Sequence, residues 1–197
     1  MKAINKYFFV FSDIFLPRIS RSMIWMLEKN GIVLKEKERV GIRDLEKDLL
    51  TRALPESELF LRLTSLVSAQ IPLSETDFLK SLSLDYSALS VVDGLGKDNE
   101  VILFSDFPKT WLAKIDQRGG LIVHFQRVIY SQEINCKNVR EDVFDRLMAT
   151  HEIQAGNSMW VDSDPFRTSI AIRHGIDAII YVDERRLRRE LRLRSLL

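Results

Sequence analysis

The sequence predicts an α/β protein with a parallel, doubly wound sheet and a helical insertion after its first strand. Short apolar segments rich in aromatic and β-branched residues alternate with helical patterns in the second half of the chain. Between about residues 20 and 89 the apolar residues instead recur at helical spacing. Repeated strand-then-helix order favours parallel strands with a site at their carboxyl ends.

The composition is that of an ordinary globular protein without a strong electrostatic field. Among 197 residues, 46% are hydrophobic, and 29 basic against 28 acidic side chains leave a net charge of +1. This balance gives no reason to expect nucleic acid or an anionic membrane as a partner. The single Cys136 cannot form an internal disulfide, and no apolar run is long enough for a membrane span. We therefore expect a cytoplasmic protein.

The elements follow from local patterns in chain order. The first strand is expected at 7–11, an aromatic run that ends at Ser12 and Asp13. Pro55 and Pro72 divide the helical stretch that follows. The later strands are expected at 101–104, 127–130, 158–161 and 178–182, and the later helices at 108–117, 141–150 and 165–174. These patterns predict a core of residues 1–17 and 92–197 and a helical cap at 18–91.

Four polar residues lie just after these strands or one loop beyond them: Asp13, Ser105, Lys137 and Asp162. Their order resembles that of the haloacid dehalogenase-like (HAD) superfamily, which has a nucleophilic Asp, then a Ser or Thr, a Lys and an acidic metal ligand. The separation of Lys137 and Asp162, 162 − 137 = 25 positions, is typical of that family. The resemblance covers nearly the whole chain. It is carried by the segments Asp13-Ile-Phe15, Val101-Ile-Leu-Phe-Ser-Asp-Phe-Pro-Lys109, Tyr130-Ser-Gln-Glu-Ile-Asn-Cys-Lys137 and Met159-Trp-Val-Asp-Ser-Asp164.

The resemblance implies a HAD-like Rossmannoid core of three α/β/α layers with a small helical cap. It also implies a Mg²⁺-dependent phosphatase that acts on a small phosphorylated compound through an aspartyl-phosphate intermediate on Asp13. Ser105 and Lys137 would bind the phosphate, and Lys137 would also stabilise the developing charge. The expected Mg²⁺ ligands are Asp13, the backbone carbonyl of Phe15 and Asp162, with Asp164 in support of the metal or of Lys137.

The family pattern is broken at several of these positions. Phe15 stands where most family phosphatases carry a second Asp, and Arg167 stands at a commonly acidic position. Loss of general acid and base help typically costs about 10²–10⁴ in rate. Two alternatives therefore stay open: a catalytically degraded member that binds a ligand or a protein partner, and a haloacid dehalogenase. Dehalogenases also lack the second Asp and use no metal.

Simpler interpretations of the same residues also stay open. Ser105 fits a turn and Lys137 a solvated charge, and Asp162 or Asp164 can cap the helix that begins near Pro165. The Arg-rich segment 185–194 predicts a solvated terminal helix resting on two leucines, with a protein partner as the alternative. It lacks the interleaved aromatic residues on which nucleic-acid bases stack.

Overall fold

The computed structural model describes residues 7–69, 72–95, 99–134, 143–151 and 154–197, and side chains from residue 13 onward. Within these ranges the chain forms one sheet of five parallel strands in the order β3-β2-β1-β4-β5. The strands are β1 (Tyr7–Phe11), β2 (Glu100–Ser105), β3 (Arg127–Tyr130), β4 (Ser158–Asp162) and β5 (Asp177–Ile180).

The strand order places the candidate residues at one point of the sheet. The chain runs outward from β1 to β2 and β3, then returns to add β4 and β5 on the other side of β1. The crevice between β1 and β4 is therefore the topological switch point, where doubly wound sheets bind ligands beyond the carboxyl ends of their strands. Asp13 follows β1 and Asp162 ends β4, so both lie at this point.

Within the described ranges, helices cover the sheet and form most of the predicted insertion. None of the described helices has both the length and the apolar character that a membrane span needs. They are α1 (Ile19–Lys29), α2 (Glu36–Leu50), α3 (Glu56–Leu66), α4 (Glu75–Ser81), α5 (Leu89–Leu95), α6 (Lys109–Gly119), α7 (Val143–His151), α8 (Pro165–Arg173) and α9 (Glu184–Leu193).

Most predicted elements are found where the sequence placed them. β1 and β3 have the predicted bounds, whereas β5 begins one residue and ends two residues earlier than predicted. The next helix follows closely, since Asp183 accepts the Arg186 N–H at 2.8 Å and caps α9. The predicted start of the helix at 141 lies outside the described residues. Leu187 and Leu191 of α9 are buried, as expected for a terminal helix that rests on two leucines.

The sheet is buried on both faces. Alternate residues of β2 face opposite sides, so Val101 and Leu103 join one apolar cluster, while Ile102 and Phe104 join another with side chains of α7 and α8. Two covered faces explain why the strands are continuously apolar rather than alternating. The predicted three-layer α/β/α arrangement is confirmed.

An aromatic cluster joins the helical insertion to the rest of the molecule. Trp111 of α6 lies with its ring centroid 5.9 Å from that of Phe60 in α3 and 5.4 Å from that of Phe78 in α4. All three rings are buried in the larger apolar cluster. Helix α5 spans the predicted boundary between residues 91 and 92 and packs against β2 and α9. The exact division into core and cap stays a prediction.

Candidate active site

Two of the predicted site residues are brought together by neighbouring strands. Asp13 lies in a short 3₁₀ turn directly after β1, and Asp162 is the last residue of β4. Their side chains are only 6% and 0% exposed. Ser163, the next residue after β4, donates its hydroxyl hydrogen to Asp13 Oδ2 at 2.9 Å.

The guanidinium of Arg167 lies between these two carboxylates. Arg167 is in the first turn of α8 and its side chain is 7% exposed. Its Nη2 donates to Asp13 Oδ2 at 2.8 Å and to Asp162 Oδ1 at 2.7 Å, and its Nε donates to Asp162 Oδ2 at 2.6 Å. Burial alone would lower the pKa of Arg167, but the hydrogen bonds and charge of Asp162 raise it overall. The group therefore stays a cation in the site.

The two carboxylates differ in how fully they are hydrogen-bonded. Asp162 Oδ1 also accepts the backbone N–H of Asp164 at 2.7 Å, and its Oδ2 accepts the indole N–H of Trp160 at 3.0 Å. Asp13 Oδ1 is buried and has no hydrogen-bond partner in the described part of the chain. Burial raises the pKa of Asp13, the charge of Asp162 adds to this rise, and Arg167 opposes it.

Asp164 caps a helix and pairs with a more exposed arginine. Its Oδ1 accepts the N–H of Phe166 at 2.8 Å, which confirms the interpretation of Asp164 as the cap of α8. Its Oδ2 accepts a hydrogen bond from Arg18 Nη2 at 2.7 Å, and Arg18 is 43% exposed. Burial raises the pKa of Asp164, but the Arg18 hydrogen bond and the Phe166 N–H lower it overall.

The remaining predicted site residues are Ser105, Phe15 and Lys137. Ser105 is fully buried at the end of β2, and its Oγ accepts the N–H of Phe107 at 3.1 Å, as in the turn interpretation. The carbonyl of Phe15, an expected metal ligand, accepts the N–H of Asp85 at 2.9 Å. Lys137, the expected phosphate-binding and catalytic lysine, lies outside the described residues.

The strand register reveals a row of polar residues that sequence reasoning missed. Asp13 and Asp106 each lie two residues beyond the last paired residues of β1 and β2. Asp106 and Ser131 each directly follow the last paired residues of β2 and β3. Since adjacent strands are about 4.8 Å apart, these three residues form a row across the carboxyl edge of the sheet. The signal in the sequence is a polar residue one or two positions after each of these strands.

The polar atoms of this row are buried, and Asp13 Oδ1 has no hydrogen-bond partner among the described residues. Asp106 Oδ1 and Ser131 Oγ make no hydrogen bond of ordinary geometry there, but the Ser131 hydroxyl lies close enough to Asp106 to lower its pKa. Burial raises the pKa of Asp106 to about 6, although the charge of Arg167 opposes this rise. A carboxyl group that titrates near neutrality can both give and take a proton.

As arranged here, the described residues do not fit a bound Mg²⁺ ion. Mg²⁺ needs oxygen ligands in near-octahedral geometry at about 2.0–2.1 Å. Both Asp162 oxygens and Asp13 Oδ2 already accept hydrogen bonds from Arg167. Among the described residues, no group of three or more His, Cys, Asp or Glu side chains could hold a metal ion. The predicted metal role of Asp13, Phe15 and Asp162 is therefore not supported by this geometry.

A doubly wound parallel sheet with a helical insertion after β1 is also the fold of solved HAD-like hydrolases. Solved structures of that class align with most of the chain. A predicted HAD-like family hydrolase from Porphyromonas gingivalis has a TM-score of 0.70 at 18% identity, over 96% of this chain and 99% of that one. A HAD family enzyme from Bacteroides thetaiotaomicron in complex with magnesium and inorganic phosphate has a TM-score of 0.70 at 12% identity, over 92% and 96%.

The L-2-haloacid dehalogenase from Xanthobacter autotrophicus, with chloropropionic acid covalently bound, has a TM-score of 0.62 at 14% identity, over 99% of this chain and 85% of that one. No protein-family model matches the sequence, and neither does any curated protein. The predicted HAD-like fold is thereby confirmed.

Proposed function

We propose that the chain is a HAD-like hydrolase that acts on a small phosphorylated compound, with Asp13 as nucleophile and Asp106 as acid and base. The observation that carries this proposal is Asp13 Oδ1, which is buried without a hydrogen-bond partner among the described residues, in one row with the buried side chains of Asp106 and Ser131. Buried polar groups are nearly always hydrogen-bonded, so such a row favours a polar ligand at the carboxyl edge of the sheet.

The two oxygens of Asp13 differ in their hydrogen bonds and therefore in their proposed roles. Arg167 and Ser163 hold Oδ2, which fixes the carboxylate and leaves Oδ1 as the nucleophilic atom. Oδ1 attacks phosphorus, the bond from phosphorus to the leaving oxygen breaks, and an aspartyl phosphate forms. Water then attacks phosphorus, the bond to Asp13 breaks, and inorganic phosphate leaves with the carboxylate restored.

Asp106 acts as the general acid and base, a role that Phe15 cannot perform. In its protonated form it gives a proton to the leaving oxygen, and as a carboxylate it takes one from the attacking water, so the two steps balance. The pKa of Asp106, raised by burial to about 6, suits both steps near neutral pH. Its position in the row opposite Asp13 supports this role.

The substrate class has support from the resemblance and from a neighbour of the same fold. The Bacteroides enzyme binds inorganic phosphate together with magnesium. In this chain the phosphate would be bound by Lys137, as the motif order predicts, and attracted by Arg18, which is 43% exposed beside the site.

A second candidate is halide displacement by Asp13. The Xanthobacter dehalogenase carries its substrate covalently, and a halide leaves without a proton, so an aromatic residue at position 15 is no obstacle. In this reaction Oδ1 would attack carbon, the carbon–halogen bond would break, and water would hydrolyse the resulting ester.

The test compares an aryl phosphate with an alkyl phosphate, because only the alkyl leaving group needs a proton. We expect Asp13→Asn to abolish turnover of both, and Asp106→Asn to lower alkyl phosphate turnover by about 10²–10⁴ with much less effect on the aryl compound. Asp44→Asn is the matched control, since this carboxylate is exposed on α2.

The other possible results either contradict the proposal or establish one of its alternatives. Turnover that is indifferent to Asp13→Asn contradicts the proposal. Halide release from 2-chloropropionate that depends on Asp13, without phosphate hydrolysis, establishes the second candidate. Absence of turnover with every substrate, together with saturable phosphate binding by calorimetry, identifies a binding protein on a hydrolase fold.

A further inference from the structure

We infer that the side chain of Arg167 is a built-in cation that takes the place of a divalent metal at Asp13 and Asp162. The wild-type chain would then bind no Mg²⁺ or Mn²⁺ at these aspartates, and replacing Arg167 with an acidic residue would create a metal site. The inference concerns binding only and does not depend on the proposed hydrolysis.

The first argument is positional. Arg167 Nη2 is 2.8 Å from Asp13 Oδ2 and 2.7 Å from Asp162 Oδ1, so one nitrogen bridges the two carboxylates. A metal ion that bridged Asp13 Oδ2 and Asp162 Oδ1 would have to take the place of this nitrogen. A lone pair that accepts a guanidinium N–H is not available to a metal ion, which would need to lie about 2.1 Å from the oxygen.

The second argument is electrostatic. The side chains of Arg167 and Asp13 are 7% and 6% exposed, and that of Asp162 is 0% exposed. In such a buried site charges are weakly screened, so a divalent ion beside the guanidinium would be strongly repelled. The guanidinium already supplies positive charge to both carboxylates, which is what a metal would otherwise provide.

The third argument is that the neighbouring ligands are also engaged. Asp164 caps α8 and pairs with Arg18, and the Phe15 carbonyl accepts the N–H of Asp85. Removing Arg167 therefore frees one lone pair on Asp13 Oδ2 and one on each oxygen of Asp162, while Ser163 still donates to Asp13 Oδ2. An acidic side chain at position 167 would add the missing ligand from the same turn of α8.

The experiment is a Mn²⁺ titration followed by electron paramagnetic resonance, with Mg²⁺ as competitor, on the full chain. Mn²⁺ prefers the same carboxylate and water ligands as Mg²⁺. We expect no saturable site at Asp13 and Asp162 in the wild type or in Arg167→Lys, which keeps the charge. Arg167→Asp is expected to bind one Mn²⁺ at least about tenfold more tightly, and adding Asp162→Asn should abolish that binding.

Arg167→Gln removes the charge with little change of size and is the second test variant if Arg167→Asp does not fold. It should bind Mn²⁺ more weakly than Arg167→Asp but more tightly than the wild type. Saturable Mn²⁺ binding by the wild type that Asp162→Asn abolishes would overturn the inference. Folded Arg167→Asp and Arg167→Gln variants that bind no more tightly than the wild type would overturn it as well.

Discussion

Asp13 and Asp162 share one guanidinium but have different surroundings. Both oxygens of Asp162 accept two hydrogen bonds each, from Arg167, Trp160 and the backbone of Asp164. Asp13 Oδ2 accepts from Arg167 and Ser163, while its Oδ1 is buried without a partner among the described residues. The same residue type in the same ion cluster thus has a complete set of hydrogen bonds at one strand end and an incomplete set at the next.

The difference indicates different roles. A buried charge with every lone pair occupied stabilises the arrangement around it and has nothing left for a ligand. A buried carboxylate with a free oxygen costs free energy in the folded state, and such costs are typically found at functional sites. We therefore interpret Asp162 as the structural member of the pair and Asp13 as the reactive one.

The largest expected effect is on folding stability when Asp162 is changed. Asp162→Asn removes the charge that faces Arg167 and places an amide N–H against its N–H groups. We expect a loss of about 3 kcal/mol in the free energy of unfolding, as for other broken buried ion pairs. Asp13→Asn should cost less than about 1 kcal/mol, because it also relieves a buried charge whose pKa burial has raised.

Urea denaturation of the two variants beside the wild type measures this contrast. Ser163→Ala is the matched control for Asp13, since it removes the other hydrogen bond to Oδ2 and leaves both charges in place. Equal losses for Asp13→Asn and Asp162→Asn would show that the two carboxylates are structural to the same degree.

The fold could be predicted from the sequence because its signals are local and repeated. The aromatic run of β1 and the short apolar run of β3 end at turns, and Gly175 ends the helix pattern of α8 in a left-handed conformation with φ of 77°. Parallel pairing then brings the residues after the strands to one edge. The expectation that Asp13 and Asp162 lie at one edge therefore follows from element order, whereas their close contact depends on β1 and β4 being neighbours in the sheet.

The side-chain contacts and the burial of the site residues could not be predicted in the same way. Arg167 was recognised only as a departure from an acidic pattern, and its bidentate contact with Asp162 depends on the direction of a long side chain in α8. Asp106 directly follows β2 in the sequence, but its burial depends on three strands and their register. Side-chain direction and burial are tertiary properties that spacing along the chain does not encode.

The next effect is the pH dependence that Asp106 adds to stability. Its pKa is about 6 in the folded protein against 3.8 for the free group, so the folded state binds more protons between these values. Stability from this group therefore falls as pH rises from about 4 to 6 and stays low above that range. We expect Asp106→Asn to gain on the order of 2 kcal/mol at pH 7 relative to the wild type.

Thermal unfolding at several pH values measures the difference between the variant and the wild type. At pH 4 the difference should be close to zero, because Asp106 is protonated in the folded protein there. Asp44→Asn, at an exposed position of α2, is the matched control. A constant difference at all pH values would mean that Asp106 titrates normally and is a poor candidate for the acid and base.

The smallest effect is expected for Arg18, the exposed cation of the cluster. Its Nη2 pairs with Asp164 at 2.7 Å and its Nε lies 3.8 Å from Asp13 Oδ2, but 43% of the side chain is exposed. Solvent screening limits such pairs to about 1 kcal/mol or less, so Arg18→Ala should change stability little and less still in high salt. Because Arg18 is proposed to attract the phosphate, the variant should also raise KM with kcat unchanged. A loss of stability comparable to that of Asp162→Asn would place Arg18 with Arg167 as a structural cation, and a fall in kcat alone would place it at the reacting atoms.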